Sequence, residues 1–243
     1  EKDYEVVDEL PFWFNGRGFI NKKRNRIYLY NAKKKKLQAL TEPLFDVGGV
    51  KFCSKCGKVA YTGHTFNARR AQSSALYLYD VETGETSCLV EDGTYSIGNF
   101  CFDNAHGEIV FSANPIKDGY PAPGNNLYAV SLKGGKVEAV YEGIPEELGC
   151  TTGCDVRYGG GNSMKAVDGV LYLVTSYDNT SGLCSLKRGE KQLHHITAPS
   201  FGVDFFGVSE GRFFTVGLNG TKLQEVYEVN VENGEYKQLS QFN

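Results

Sequence analysis

One segment type recurs five times along the 243 residues and limits the fold more than any other feature. Each copy is a short alternating apolar strand, a polar turn and a second short strand. The copies read Ile27-Tyr28-Leu29-Tyr30 then Leu37 to Thr41, and Leu76-Tyr77-Leu78-Tyr79 then Thr86 to Val90. Next come Leu127-Tyr128-Ala129-Val130 then Val137 to Tyr141, and Leu183 to Leu186 then Leu193 to Thr197. The last is Val226-Tyr227-Glu228-Val229 then Tyr236 to Ser240. Their starts are 49, 51, 56 and 43 residues apart. Four of them follow a second recurring piece, a short strand, a turn ending in Gly and a very apolar strand. Its turn glycines are Gly57, Gly107, Gly169 and Gly211, and the preceding strands are expected at 49–53, 98–102, 162–167 and 204–208.

Each repeat therefore holds four short strands in about 50 residues, the period range of propeller repeats. Val59 to Tyr61, Ile109 to Phe111 and Leu171 to Val174 are apolar on both faces and need sheets on either side. Four antiparallel strands with both faces covered describe a β-propeller blade. No window carries a helical apolar stripe for three turns. The expected fold is all-β, a single β-propeller domain over 1–243 of about five four-stranded antiparallel blades. The approximate repeats are 1–43, 44–92, 93–143, 144–199 and 200–243. The first is irregular, with strands expected at Leu10 to Phe14 and Gly18 to Ile20.

Composition agrees: 29 glycines and 15 each of Tyr and Phe suit short strands joined by tight turns. A formal charge of -3 excludes a globally basic nucleic-acid binder. No apolar run approaches the length that spans a bilayer as a helix. Seven scattered cysteines point to a reducing cytoplasm. The chain opens on Glu1 with a single Met164, and we expect it to be a piece of a longer polypeptide.

Several stretches resemble the propeller of the prolyl oligopeptidase family of serine peptidases, most closely its acylaminoacyl-peptidase branch. They are Glu9-Leu10-Pro11-Phe12 with Asn15-Gly16-Arg17-Gly18-Phe19, Arg26 to Asn31 with Leu40-Thr41, and Asn125 to Val130. Cys154-Asp155-Val156-Arg157 and Leu223-Gln224-Glu225-Val226-Tyr227 complete the set. The family's Ser-Pro-Asp-Gly turns keep only their Gly here. The resemblance implies a seven-bladed propeller followed by an α/β-hydrolase domain bearing a Ser-Asp-His triad. It implies that this chain, a fragment of that propeller, caps the active site and filters short peptides by size. The expected partners are that C-terminal hydrolase domain and short peptides, with no nucleic acid and no membrane, and a homo-oligomer remains open. The alternatives are a stand-alone propeller interaction module and a propeller enzyme with a site in its channel.

No catalytic residue and no cofactor are expected within the chain. Gly207-Val208-Ser209-Glu210-Gly211 matches a nucleophile elbow, which needs a following helix and later Asp and His. Gly211 leads instead into an apolar strand, and no His follows His195. Cys53-Ser54-Lys55-Cys56 resembles half of a zinc ribbon, with Cys150 and Cys154 as the other half at an unusual spacing. Reduced structural thiols are the preferred reading. His194 and His195 alternate faces and cannot share a metal. His64 and His106 are read as having no Cys or Asp neighbour at ligand spacing. Asp155 and Arg157 are candidates for lining a substrate channel, against a structural ion pair, which is preferred. Gly159-Gly160-Gly161 reads as a flexible connection. Nine Lys/Arg and no acid lie between Leu10 and Thr41, with Lys33 to Lys36 expected in a solvated hairpin turn.

Overall fold

The computed structural model describes residues 3, 4, 6–152 and 161–243. Every regular element among them is a strand. Strands β1 (Trp13–Phe14) and β2 (Gly18–Phe19) form a small hairpin, and β3 (Tyr28–Asn31) and β4 (Lys36–Ala39) a two-stranded ribbon. Four larger sheets follow. The first holds β5 (Phe45–Cys53), β6 (Lys58–Thr65), β7 (Ala75–Asp80) and β8 (Thr86–Val90). The second holds β9 (Tyr95–Asp103), β10 (Glu108–Lys117), β11 (Tyr120–Pro121), β12 (Asn125–Ser131) and β13 (Glu138–Ile144). The third holds β14 (Glu147–Leu148), β15 (Met164–Val167), β16 (Val170–Tyr177), β17 (Thr180–Lys187) and β18 (His194–His195). The fourth holds β19 (Phe201–Ser209), β20 (Arg212–Asn219), β21 (Lys222–Val229) and β22 (Tyr236–Gln238).

Each large sheet is a four-stranded antiparallel meander in chain order, and β11 and β14 are two-residue additions to the second and third. The expected unit thus appears in full four times. The first repeat departs from it, because its leading residues go elsewhere. Leu10 bridges Arg69, with its N–H donating to the Ala68 carbonyl at 2.6 Å, and Ile20 N–H donates to the Phe12 carbonyl at 3.0 Å. Strands β3 and β4 are therefore left paired only with each other.

Turn chemistry explains the spacing within the sheets. Asp168-Gly169 and Glu210-Gly211 are two-residue loops with φ of 50° and 80°, and 51° and 74°. Positive φ at both positions is the twist-matched hairpin turn. The loops at 54–57 and 104–107 are two residues longer, and only their last residues, Gly57 and Gly107, have positive φ. Glycine recurs at the end of all four because each loop closes there in the left-handed region.

The chain divides into two compact units, 1–97 with 114–122, and 98–113 with 123–243, so that β9 and β10 each run through both. In the first unit the core is Phe45, Val47, Tyr61 and Tyr79, with Ile27, Leu29 and Leu40 of the ribbon packed against it. In the second unit one cluster joins the sheets of β12 and β16, through Val110, Leu127, Val140, Met164, Leu171 and Leu186. Another joins those of β17 and β20, through Val174, Leu183, Phe201, Phe206, Phe213 and Tyr227. Strands covered on both faces lose nearly all their exposure, and burial at roughly 25 cal/mol per Å² of apolar surface holds sheet to sheet.

Candidate functional site

Glu210 and Gly211 turn the chain directly from β19 into β20, with Ser209 paired to Arg212. The G-x-S-x-G stretch is therefore a strand end and a hairpin, without the helix a nucleophile elbow needs. Arg212 is held instead by both carboxylate oxygens of Glu228, at 2.7 Å each.

Cys53 and Cys56 bracket the β5–β6 turn. Cys56 N–H donates to Cys53 Sγ at 3.3 Å, and burial, then the neighbouring thiol, pushes the Cys56 thiol up to about 11. Cys150 belongs to the second unit, where its Sγ lies 3.5 Å from Thr152 Oγ1 and 3.7 Å from Asp204 Oδ1. Cys154, Asp155 and Arg157 lie outside the described residues.

The two adjacent histidines do point to opposite partners. His194 Nε2 meets Glu190 Oε2 at 3.1 Å. His195 stands between Cys184 and Glu146, with Nδ1 at 3.3 Å from Sγ and Nε2 at 3.2 Å from Oε1, and its ring edges against Tyr177 at 4.6 Å. A thiol, an imidazole and a carboxylate in line have the order of a cysteine-nucleophile triad. Cys184 is fully covered, however, and burial pushes its thiol up to about 11. The protonated, enclosed sulfur lies between Nδ1 and the Thr175 hydroxyl, which is 3.2 Å away. The line fastens β17, β18 and the loop after β13.

His106 corrects its sequence reading. Asp103, three residues back, holds Nδ1 at 2.7 Å, and Glu108 lies two residues on. The donor atoms of Asp103, His106 and Glu108 lie within 4.8 Å of one another, a spacing open to a metal ion. The donors are already engaged. Arg188 Nη1 and Nη2 take the two oxygens of Glu108 at 2.8 and 3.1 Å, and the second Asp103 oxygen accepts Ala105 N–H at 3.1 Å. The arrangement is an ion-pair clip between the β9–β10 turn and the segment after β17. Burial raises the Glu108 carboxyl and Arg188 opposes that rise.

In the first unit the Arg24 side chain is wholly covered. It donates to Glu9 Oε2 at 2.6 Å and to the Phe66 carbonyl at 3.1 Å, and its guanidinium lies 3.7 Å over the Phe66 ring. His64, 5% exposed, tilts against the same ring, and neither of its nitrogens has a hydrogen-bond partner. Burial lowers its pKa, Arg70 and Arg24 lower it further, and Asp92 and Asp46 act against them. Sequence reasoning missed this group, since its members are up to 83 residues apart between Glu9 and Asp92.

The basic stretch is partly neutralised locally. Lys22 pairs with Asp8 at 2.7 Å, and Arg26 Nε donates to the Thr41 carbonyl at 3.1 Å. Lys33 to Lys36 are exposed at the tip of the β3–β4 ribbon.

No protein-family model matches the chain, and no curated protein matches it by sequence. Its backbone does match solved structures. Acylaminoacyl peptidase of Pyrococcus horikoshii matches all of this chain with 35% of its own, at TM-score 0.70 and 17% identity. The fold is that of a β-propeller. Puromycin hydrolase matches over 85% of this chain and 30% of its own, at TM-score 0.62 and 16% identity. The β-propeller domain of the Trilobed protease from Pyrococcus furiosus covers 91% of this chain and 75% of its own, at TM-score 0.50 and 14% identity. The chain thus spans about a third of the acylaminoacyl peptidase and puromycin hydrolase chains.

Proposed function

We propose that the chain is the propeller portion of a serine peptidase of the acylaminoacyl-peptidase type, set over a hydrolase domain and admitting short peptides by size. The observation that carries this reading is the match over the full 243 residues to part of an acylaminoacyl peptidase. The closed polar clusters support it. Cys184 is covered, Glu108 is held by Arg188, and Ser209 ends a strand at a hairpin, so these groups fasten the sheets. Tightly stacked blades beside a catalytic cleft would exclude a folded protein by sterics and pass an extended peptide. Reaction chemistry would then belong to the hydrolase domain.

The test is hydrolysis of a ladder of N-acetylated peptides by a polypeptide carrying this chain with its hydrolase domain, intact and with residues 1–243 deleted. The intact enzyme is expected to cleave the short members and lose activity as length grows. Deletion should flatten that length dependence. An identical length profile in both, or no cleavage of acylated peptides by the intact enzyme, contradicts the reading.

A further inference from the structure

The tyrosine in second position of the repeat has two different surroundings. Tyr128 and Tyr227 are 5% and 1% exposed, whereas Tyr28 is 47% exposed. In two of the complete sheets the strand preceding the repeat supplies a ring. Tyr61 of β6 is the cross-strand partner of Tyr77, with centroids 5.3 Å apart, and Phe111 of β10 is that of Tyr128, at 6.0 Å. Among the described residues the ribbon has no such strand. Leu29 faces the core of the first unit, while Tyr28 and Tyr30 point the other way and are exposed.

The backbone of β3 is open as well. Leu40 N–H donates to the Ile27 carbonyl at 2.8 Å, and Ile27 stands opposite Leu40 in the register that pairs Tyr28 with Ala39. Hydrogen-bonded pairs alternate in an antiparallel ladder, so the N–H and C=O groups of Tyr28 and Tyr30 point away from β4. An edge of this kind is a template for another strand. Its charge selects the partner. A second copy of β3 would bring lysines and arginines to its own, whereas an acidic segment would meet Lys33 to Lys36.

From this open edge we infer that β3 is a docking site for an extended, acidic, aromatic-bearing peptide segment that adds as an antiparallel strand. Strand β10 shows the chemistry required. Phe111 opposes Tyr128, and Glu108 opposes Ser131, the position that Asn31 holds beside the lysine tip of the ribbon. An incoming segment with that pattern places its ring on Tyr28 and its carboxylate by the lysines. The inference is independent of the peptidase reading.

The probe is a fluorescein-labelled peptide of residues 107–114, titrated by anisotropy against the 243-residue chain at low ionic strength. Saturable binding is expected, with the amides of Tyr28 and Tyr30 becoming protected from exchange. A peptide with Glu108→Lys should bind about tenfold more weakly, since a favourable charge pair becomes a repulsive one. Tyr28→Ala in the protein, at an exposed site that leaves folding intact, should weaken binding about threefold to fivefold. An Ile109→Pro peptide, which loses the N–H that faces the Tyr30 carbonyl, should not bind. Equal binding of that peptide, protection elsewhere than β3, or binding of oligothymidylate in place of the peptide overturns the proposal.

Discussion

His64 lies buried beside Phe66 with neither ring nitrogen hydrogen-bonded, so the fold holds it neutral. Burial, with Arg70 and Arg24, sets its folded pKa below the unfolded value. The unfolded chain then binds more protons as pH falls, and stability falls with it. The contribution is complete above the ordinary histidine pKa of about 6.5 and is lost as pH drops toward the folded value. Urea midpoints taken between about pH 7.5 and about pH 5.5 should therefore fall more in the wild type than in His64→Phe, which cannot titrate. Parallel falls in the two proteins would remove His64 from the account. Neither this ring nor the Arg188–Glu108 pair was legible in the sequence, since both depend on contacts between distant segments. The pair is 80 residues apart along the chain.

At the scale of the element, two sheets carry the same irregularity. The β5–β6 register shifts between Val47 and Gly49 opposite Gly63, and the β19–β20 register between Val203 and Phe205 opposite Gly217. A bulge bends its strand and brings the partner backbone close. A Cβ on Gly63 would collide with the Asp46 carbonyl and the Phe45 ring, and one on Gly217 with the Gly202 carbonyl. Gly207, mid-strand in β19, has open space around it and an ordinary φ. Gly63→Ala and Gly217→Ala should each cost about 1–3 kcal/mol or more in urea unfolding, whereas Gly207→Ala should change stability by less than about 1 kcal/mol. Equal effects at all three sites would remove the bulges from the explanation. The turn glycines could be read from the sequence because each closes a hairpin at a fixed place in the repeat. The bulges could not, because one extra residue in a strand changes neither composition nor alternation enough to mark itself.

At the scale of the molecule, four repeats form the expected four-stranded sheets and the first forms a ribbon. The period was legible because the same apolar strands and Gly turns return every 43 to 56 residues. The shortfall in the first repeat was legible only as irregularity. What decides it is that residues 10–20 pair with one another and with 68–70 instead of beside β3. The candidate site was less legible than the fold. Cys53 and Cys56 sit at a turn as their position predicts, but the thiol–imidazole–carboxylate line and the Asp103–His106 pair emerge only once strands are in register.

The central claim is that one sheet unit, repeated, organises the chain, with its first copy left open at β3. Residue-resolved amide hydrogen exchange tests it most directly, because protection follows the local free energy of opening. The account predicts that the slowest amides recur once per repeat, in β6, β10, β16 and β20, and that Tyr28 and Tyr30 exchange fast. Slow exchange that forms one contiguous block without that period, or strong protection of Tyr28 and Tyr30 in the isolated chain, would contradict it.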